Sequence, residues 1–235
     1  MRSLLTTIFL LFVINSYSQS SFGIKAGASI PVGEFASDDG RDPAAGLAET
    51  GLNVEINYQL NVEEKVSILF MYNYQSNPVN MDVVEDVFSS LITAGVPFSV
   101  GAKNWKQSRL MVGISLNLPV QETALAVTPR FMLGLNVASN PELVLSYSEN
   151  GVSTEIRTFD KPTESLVLLA GLGLKYKVSE SVSLITHLDY TTSTIEFEDV
   201  VTERMDNNFL TFNSRDSFEV RIKTLAASLG ISIRI

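Results

Sequence analysis

From residue 22 onward the chain alternates apolar and polar residues in eight runs, each near the length a tilted strand needs to cross a bilayer. In the first, Phe22, Ile24, Ala26, Ala28 and Ile30 alternate with Gly23, Lys25, Gly27 and Ser29. In the second, Leu52, Val54, Ile56, Tyr58 and Leu60 alternate with Asn53, Glu55, Asn57 and Gln59. The third sets Val66, Ile68, Phe70, Tyr72 and Tyr74 against Ser67, Leu69, Met71, Asn73 and Gln75. The fourth sets Leu110 to Leu118 against Met111, Gly113, Ser115 and Asn117. The fifth runs from Leu125 to Asn136 and carries Pro129 on its apolar face, where a missing N–H predicts a bulge. Leu166 to Tyr176 and Val182 to Tyr190 form the sixth and seventh. The eighth, Leu225 to Ile235, is preceded by Phe218, Val220 and Ile222 in the opposite phase, and that slip at Lys223 and Thr224 predicts a second bulge.

The connections alternate in length. Asn61 to Lys65, Pro119 to Ala124 and Lys177 to Ser181 are short, whereas Pro31 to Gly51, Ser76 to Arg109, Val137 to Ser165 and Thr191 to Lys223 are long. Short periplasmic turns and long extracellular loops have this order. Asn150-Gly151 is a type I′ hairpin signal between Leu143–Tyr147 and Val152–Thr158, so the third long connection continues as a ribbon. The second contains a helix over 81–94, with Asn80 or Asp82 as N-cap, Val84, Val87, Phe88, Leu91 and Ile92 on one face, and Gly95 as its stop. Packing on the loops or rim accounts for that face more simply than a lid or a membrane-surface role.

The beginning of the chain changes the setting. Arg2 followed by the apolar run Leu4 to Ile14 and the small polar residues Ser16 to Ser20 has the form of a secretory signal peptide, expected over residues 1–19, leaving 20–235 as one barrel domain. The run is too short for a spanning helix. No cysteine is present, which excludes disulfides, thiolate metal sites and a lipobox anchor. A net charge of -9 speaks against nucleic acid as a partner.

Alternation alone does not say which face meets lipid, since a soluble lipocalin-like calyx would turn its apolar faces inward. Three features favour lipid: bulky, nearly unbroken apolar faces, one-sided loop lengths, and aromatics near strand ends. The aromatics are Phe22, Tyr58 and Tyr176 at one edge and Tyr72, Tyr74, Trp105, Tyr190 and Phe218 at the other, expected as membrane-interface anchors. The fold expected is all-β: an eight-stranded antiparallel up-and-down transmembrane barrel with long extracellular loops and one short loop helix. Such a barrel is filled by its own side chains, so Lys25, Glu55, Arg130, Lys175, His187, Asp189 and Arg234 would form a polar lumen network of mixed sign.

The first strand Phe22-Gly23-Ile24-Lys25-Ala26-Gly27 and the closing strand to Ile235 resemble those of the small outer-membrane β-barrel domain family, which includes OmpA-like, OmpX-like and PorT-like barrels. The resemblance covers the whole expected domain, with isoleucine where the family often ends in an aromatic. It implies an outer-membrane location and carries over no catalytic residue.

Candidate chemistry is sparse. His187, the single histidine, has Asp189 two residues away on the same face, a fragment of triad logic that leaves open a lipid-modifying barrel enzyme. The simpler reading is a hydrogen-bonded lumen histidine. Glu34, Asp38, Asp39 and Asp42, and Glu196, Glu198, Asp199 and Glu203, lack the spacing of a cation loop and read as solvated acidic surface, with no metal or cofactor expected. Gly171-Leu172-Gly173 reads as space for crowded lumen side chains. GxSxG, HExxH and Walker sequences do not occur. The leading expectation is therefore a non-enzymatic monomeric outer-membrane barrel. Its expected partners are membrane lipid, the barrel-assembly machinery during biogenesis and, through its loops, an extracellular or envelope protein. A soluble binder of an apolar ligand is the alternative.

Overall fold

The structure is a computed structural model that describes residues 20–40, 42 and 44–235. The expected signal peptide lies outside the described residues. In chain order the strands are β1 (Ser20–Pro31), β2 (Gly51–Asn61) and β3 (Val66–Asn77), followed by helix α1 (Met81–Leu91). Next come β4 (Phe98–Ala102), β5 (Trp105–Leu116), β6 (Leu118–Pro119), β7 (Leu125–Ser139), β8 (Leu143–Glu149) and β9 (Val152–Thr158). Last are β10 (Pro162–Lys177), β11 (Val182–Asp206) and β12 (Phe209–Arg234).

Eight long strands pair in sequence order, β1-β2-β3-β5-β7-β10-β11-β12, every neighbour antiparallel, and β12 pairs back onto β1 from Ser21↔Arg234 to Pro31↔Thr224. The ring is closed. Its lower rim carries the short turns and its upper rim the long connections. The faces divide as strand parity requires. Leu110, Leu135, Leu166, Leu188 and Leu229 stand outside, while Lys25, Asn53, Glu55, Arg109, Arg130 and Asp189 are buried inside. This orientation overturns the lipocalin-like alternative, because the apolar faces of the strands point away from the interior of the ring.

Pro129 needs no bulge. The register on β10 runs straight through Leu172↔Pro129, and on the other side the pairing Ser115↔Arg130 resumes in the same register at Leu118↔Val127. Leu116 and Asn117 drop out of the β5–β7 ladder only: toward β3, Leu116 still pairs with Val66 and the Asn117 N–H donates to the Lys65 carbonyl at 2.8 Å. A proline at the place where one ladder lapses costs no hydrogen bond on that side.

The expected bulge at Lys223-Thr224 is likewise absent: the β11–β12 register is constant from Val182↔Ile233 to Phe197↔Phe218. The phase change has another cause. Leu225, Leu229 and Ile231 point outward from the barrel wall, but above them the strand leaves that belt, and Phe218, Val220 and Ile222 point inward while Glu219 and Arg221 point out. The chain keeps its pleat and exchanges surroundings. A bulge does occur higher up, where Glu198 and Asp199 of β11 stand opposite Ser217, with Asp199 at φ 51°. The fourth long connection is therefore a continuation of two barrel strands, closed by Asn207-Asn208 with both φ positive, 50° and 66°. Two asparagines supply that left-handed turn. The ribbon at Asn150-Gly151 forms as expected, and β9 pairs with the β11 extension while β4 adds to β8.

Inward apolar residues above the barrel wall make a second core. Phe35, from a short 3-10 turn (Gly33–Ala36), enters from the first long connection and meets Trp105 edge-on at 5.5 Å between ring centres. Trp105 in turn meets Phe197 at 6.0 Å, and Phe197 meets Phe218 at 5.2 Å. Ala48, Val79, Val84, Ala138, Ile195, Val200, Val220 and Ile222 complete its buried set. The Trp105 indole N–H donates to the Gly46 carbonyl at 2.8 Å. Helix α1, capped by the Asn80 side chain, sets Val84 and Phe88 against this cluster. It ends at Leu91, three residues before the expected end, because Ile92 is already extended and Gly95 turns the chain at φ +90°.

Phe35→Ala should remove about 3–5 kcal/mol from this upper core. Because Trp105 is the single tryptophan, its emission should shift to longer wavelength in that variant and stay unchanged in Phe131→Ala on the outer face, as steady-state fluorescence would read directly.

Candidate functional site

The lumen is built from the inward parity of eight strands, and its centre is a charge network. Lys25 of β1 and Glu55 of β2 are direct cross-strand partners, and Arg130 of β7 and Asp189 of β11 reach them from other parts of the ring. The Arg130 guanidinium forks onto both oxygens of Glu55 at 2.8 and 2.7 Å, and onto both oxygens of Asp189 at 2.8 and 2.6 Å. Lys25 Nζ reaches Glu55 Oε1 at 2.8 Å, and Asn57 donates to the same oxygen at 2.9 Å. Two cations and two carboxylates balance. Paired bidentate geometry is the arrangement in which attraction best offsets the cost of removing charges from water.

Gly171 and Gly173 make that arrangement fit. A Cβ on Gly171 would lie 1.9 Å from Asp189 Oδ1, and one on Gly173 would lie 2.5 Å from His187 Nε2. The expectation of space for crowded side chains thus has a named cause at both positions.

His187 does not engage Asp189. Its Nδ1 accepts from Lys25 Nζ at 3.1 Å and its Nε2 lies 3.5 Å from Thr128 Oγ1, while the Asp189 carboxylate is occupied by Arg130. The dyad has the right spacing in sequence and the wrong partners in space. Lys175 and Arg234 are separate from the network: both line a pocket of about 210 Å³ at the lower mouth with Ser183, Ser232 and Asn117. The seven expected lumen residues therefore divide into four joined charges, a histidine hydrogen-bonded to one of them, and two cations at the mouth.

The aromatics divide too. Phe22, Tyr58 and Tyr176 face outward near the lower rim, and Tyr72, Tyr74 and Tyr190 face outward higher on the wall. Trp105 and Phe218 are corrections: Trp105 is 4% exposed inside the upper core, and Phe218 packs on Phe197. Their sequence neighbours place them near strand ends, and only the pairing shows that they lie above the outer belt on the inner side.

Two features escaped the pattern. Leu69, Met71, Met111, Met132, Val167 and Leu169 form an apolar patch within the lumen, legible in hindsight as methionines recurring at inward parity. Arg109 is also inward and buried, although by sequence it falls at the end of a long connection. Its parity with Met111 and Gly113 was the available signal.

Of the acidic clusters, Glu198 and Asp199 occupy the β11 bulge, and Lys161 Nζ caps the Glu198 carbonyl. Among the described residues no group of three or more His, Asp or Glu side chains could hold a metal ion. The hairpin tip is held instead by Asp206, whose carboxylate accepts from Thr154 at 2.7 Å, Arg204 at 3.1 Å and Thr211 at 3.0 Å. These bonds, that from Thr154 foremost, hold its pKa below the ordinary 3.8.

A closed ring of eight antiparallel strands with an apolar exterior and a polar, filled interior is the fold of small outer-membrane β-barrels. Neisserial surface protein A shares it, with a TM-score of 0.51 and 12% identity over 92% of this chain and 97% of that one. A major outer membrane protein from Thermus thermophilus aligns with a TM-score of 0.49 and 13% identity over 92% and 99%. The attachment invasion locus protein Ail of Yersinia pestis aligns at 0.45 and 13% over 93% and 99%. Neither a protein-family model nor a curated protein matches the sequence.

Glu55→Ala would leave Lys25 and Arg130 without their shared counter-charge and should cost about 3–5 kcal/mol. His187→Ala, which removes one hydrogen bond from the Lys25 ammonium and the 3.5 Å contact with Thr128, should cost about 2 kcal/mol; urea titration of the refolded barrel in detergent separates the two. For Asp206 the sign follows from its lowered pKa: its stabilisation of the hairpin tip is present above the unfolded value near 3.8 and is lost as pH falls through the lower folded value. Protease cleavage between residues 200 and 215 should accelerate on acidification, and Asp206→Asn should flatten that dependence.

Proposed function

We propose that this chain is an integral outer-membrane β-barrel, delivered by a cleaved signal peptide and inserted by the barrel-assembly machinery. In this reading it is a non-enzymatic monomer whose extracellular part serves envelope structure or surface interaction. The observation that carries the proposal is the orientation of the closed ring. A belt of Leu, Ile, Val, Phe and Tyr surrounds it, with Leu166 74% and Leu110 66% exposed, and the charges are sequestered within. Surface of that extent and chemistry is stable against hydrocarbon rather than water.

The upper rim is then extracellular and the lower rim periplasmic, as loop lengths in such barrels require. The upper core of Phe35, Trp105, Phe197 and their neighbours closes the outer end, and the charge network crosses the middle. A lumen filled this way supports no diffusion pore. The surface offered to a partner comprises α1, the β4-β8-β9 sheet and the projecting β11–β12 hairpin. Against catalysis stands His187, whose ring contacts Lys25 and Thr128 while the carboxylate it would need is bound to Arg130.

Expressed in a diderm host, the protein should fractionate with the outer membrane, require detergent for extraction, and migrate faster on SDS gels unheated than boiled. Recovery in the soluble periplasmic fraction without detergent would refute the reading.

A further inference from the structure

One lumen cation is fully buried without a counter-charge, whereas the unpaired Lys175 and Arg234 lie at the lower mouth. Arg109 is 1% exposed, and among the described residues no carboxylate lies within ion-pair distance of it. Its two terminal nitrogens donate to neutral amide oxygens, Nη1 to Asn73 Oδ1 at 3.3 Å and Nη2 to Gln107 Oε1. Such bonds satisfy donors without neutralising charge. Its inward neighbours along β5 are Gln107 and Met111, the latter in the apolar lumen patch, and Trp105 of the upper core lies beyond Gln107. An isolated ion in such surroundings is strongly disfavoured unless it is paired.

Of the seven buried side-chain polar atoms without a partner among the described residues, four belong to this residue and two of its neighbours. They are Arg109 Nε, Gln107 Nε2 and both side-chain polar atoms of Asn136. Asn136 stands directly opposite Arg109 in the β5–β7 register, and Gln107 is two residues away on the same inward face. The unpartnered atoms there comprise three donor groups and one acceptor, Asn136 Oδ1. Water gives as readily as it accepts and brings no charge; a halide only accepts and cancels one positive charge. The excess of donors and the fully buried, uncompensated cation both select the halide.

We propose that Arg109, Gln107 and Asn136 form an internal binding site for a small inorganic monovalent anion of the chloride class. The bound anion completes the charge balance of a lumen whose central charges already neutralise one another. It is an element of the folded barrel, sealed beneath the upper core, and it makes stability depend on the identity of the anion as well as on ionic strength.

Crystals of the full barrel in detergent, soaked in bromide, should show an anomalous peak in contact with Arg109 Nε. A position holding only ordered water, or no density at all, overturns the proposal. In solution, replacing chloride by gluconate at constant ionic strength should lower the thermal midpoint by roughly 5 °C, and Arg109→Met should abolish the difference. A wild-type midpoint indifferent to the exchange, or an Arg109→Met barrel that responds as the wild type does, overturns it as well. Should Arg109→Met fail to refold, the bromide experiment on the unaltered protein decides alone.

Discussion

The β1–β12 seam is the pairing on which the rest depends. A sheet wrapped in apolar side chains and placed in lipid has no water to satisfy an open edge, and each unpaired N–H or C=O there costs several kcal/mol. Pairing from Ser21↔Arg234 to Pro31↔Thr224 removes both edges together. Once the ring is closed at eight strands, strand parity determines what lies inside, and the interior is too narrow for bulk water. Every inward residue must then find a partner among the others.

That requirement explains why the polar lumen is a network and not a lining. Glu55 and Asp189 accept both forks of Arg130, Lys25 completes the balance, and the small residues Gly171 and Gly173 give the longer side chains room. It also explains the half of the lumen that is apolar. Met71, Met111 and Met132 fill irregular space without demanding hydrogen bonds. Arg109 is the exception that follows from the same requirement, since its charge is enclosed with amides alone.

The upper structure obeys the opposite rule on the same strands. Where β11 and β12 rise beyond the outer belt, Glu196, Glu219 and Arg221 turn outward, and Ile195, Phe197, Val220 and Ile222 turn inward to meet Phe35 and Trp105. The parity of hydrophobicity reverses without any change in the backbone. The reversal marks where the two strands leave the apolar belt of the barrel, and above it they become the walls of a second apolar core. Helix α1 and the β4-β8-β9 sheet extend that core into a folded surface.

The eight barrel strands, their order and the short turns were legible in the sequence because period-two alternation is local and each run carries its own signal. So were the ribbon at Asn150-Gly151 and the inward set containing Lys25, Glu55, Arg130 and Asp189. What the alternation left undecided was which face turns inward, for a calyx and a membrane barrel share it. Closure decided that, by showing which parity has room only for small and paired groups. The bulge expected at Lys223-Thr224, the interface role expected of Trp105 and the dyad that the spacing of His187 and Asp189 left open failed for one reason. Each depends on what stands across the lumen or above the belt, at separations such as Phe35 to Trp105 to Phe197 that no local pattern encodes. The sequence by itself determined the strands and the parity of each residue. The tertiary structure alone decided the partners, because in a ring this narrow a side chain's environment is set by the strands opposite it and not by its neighbours in the chain.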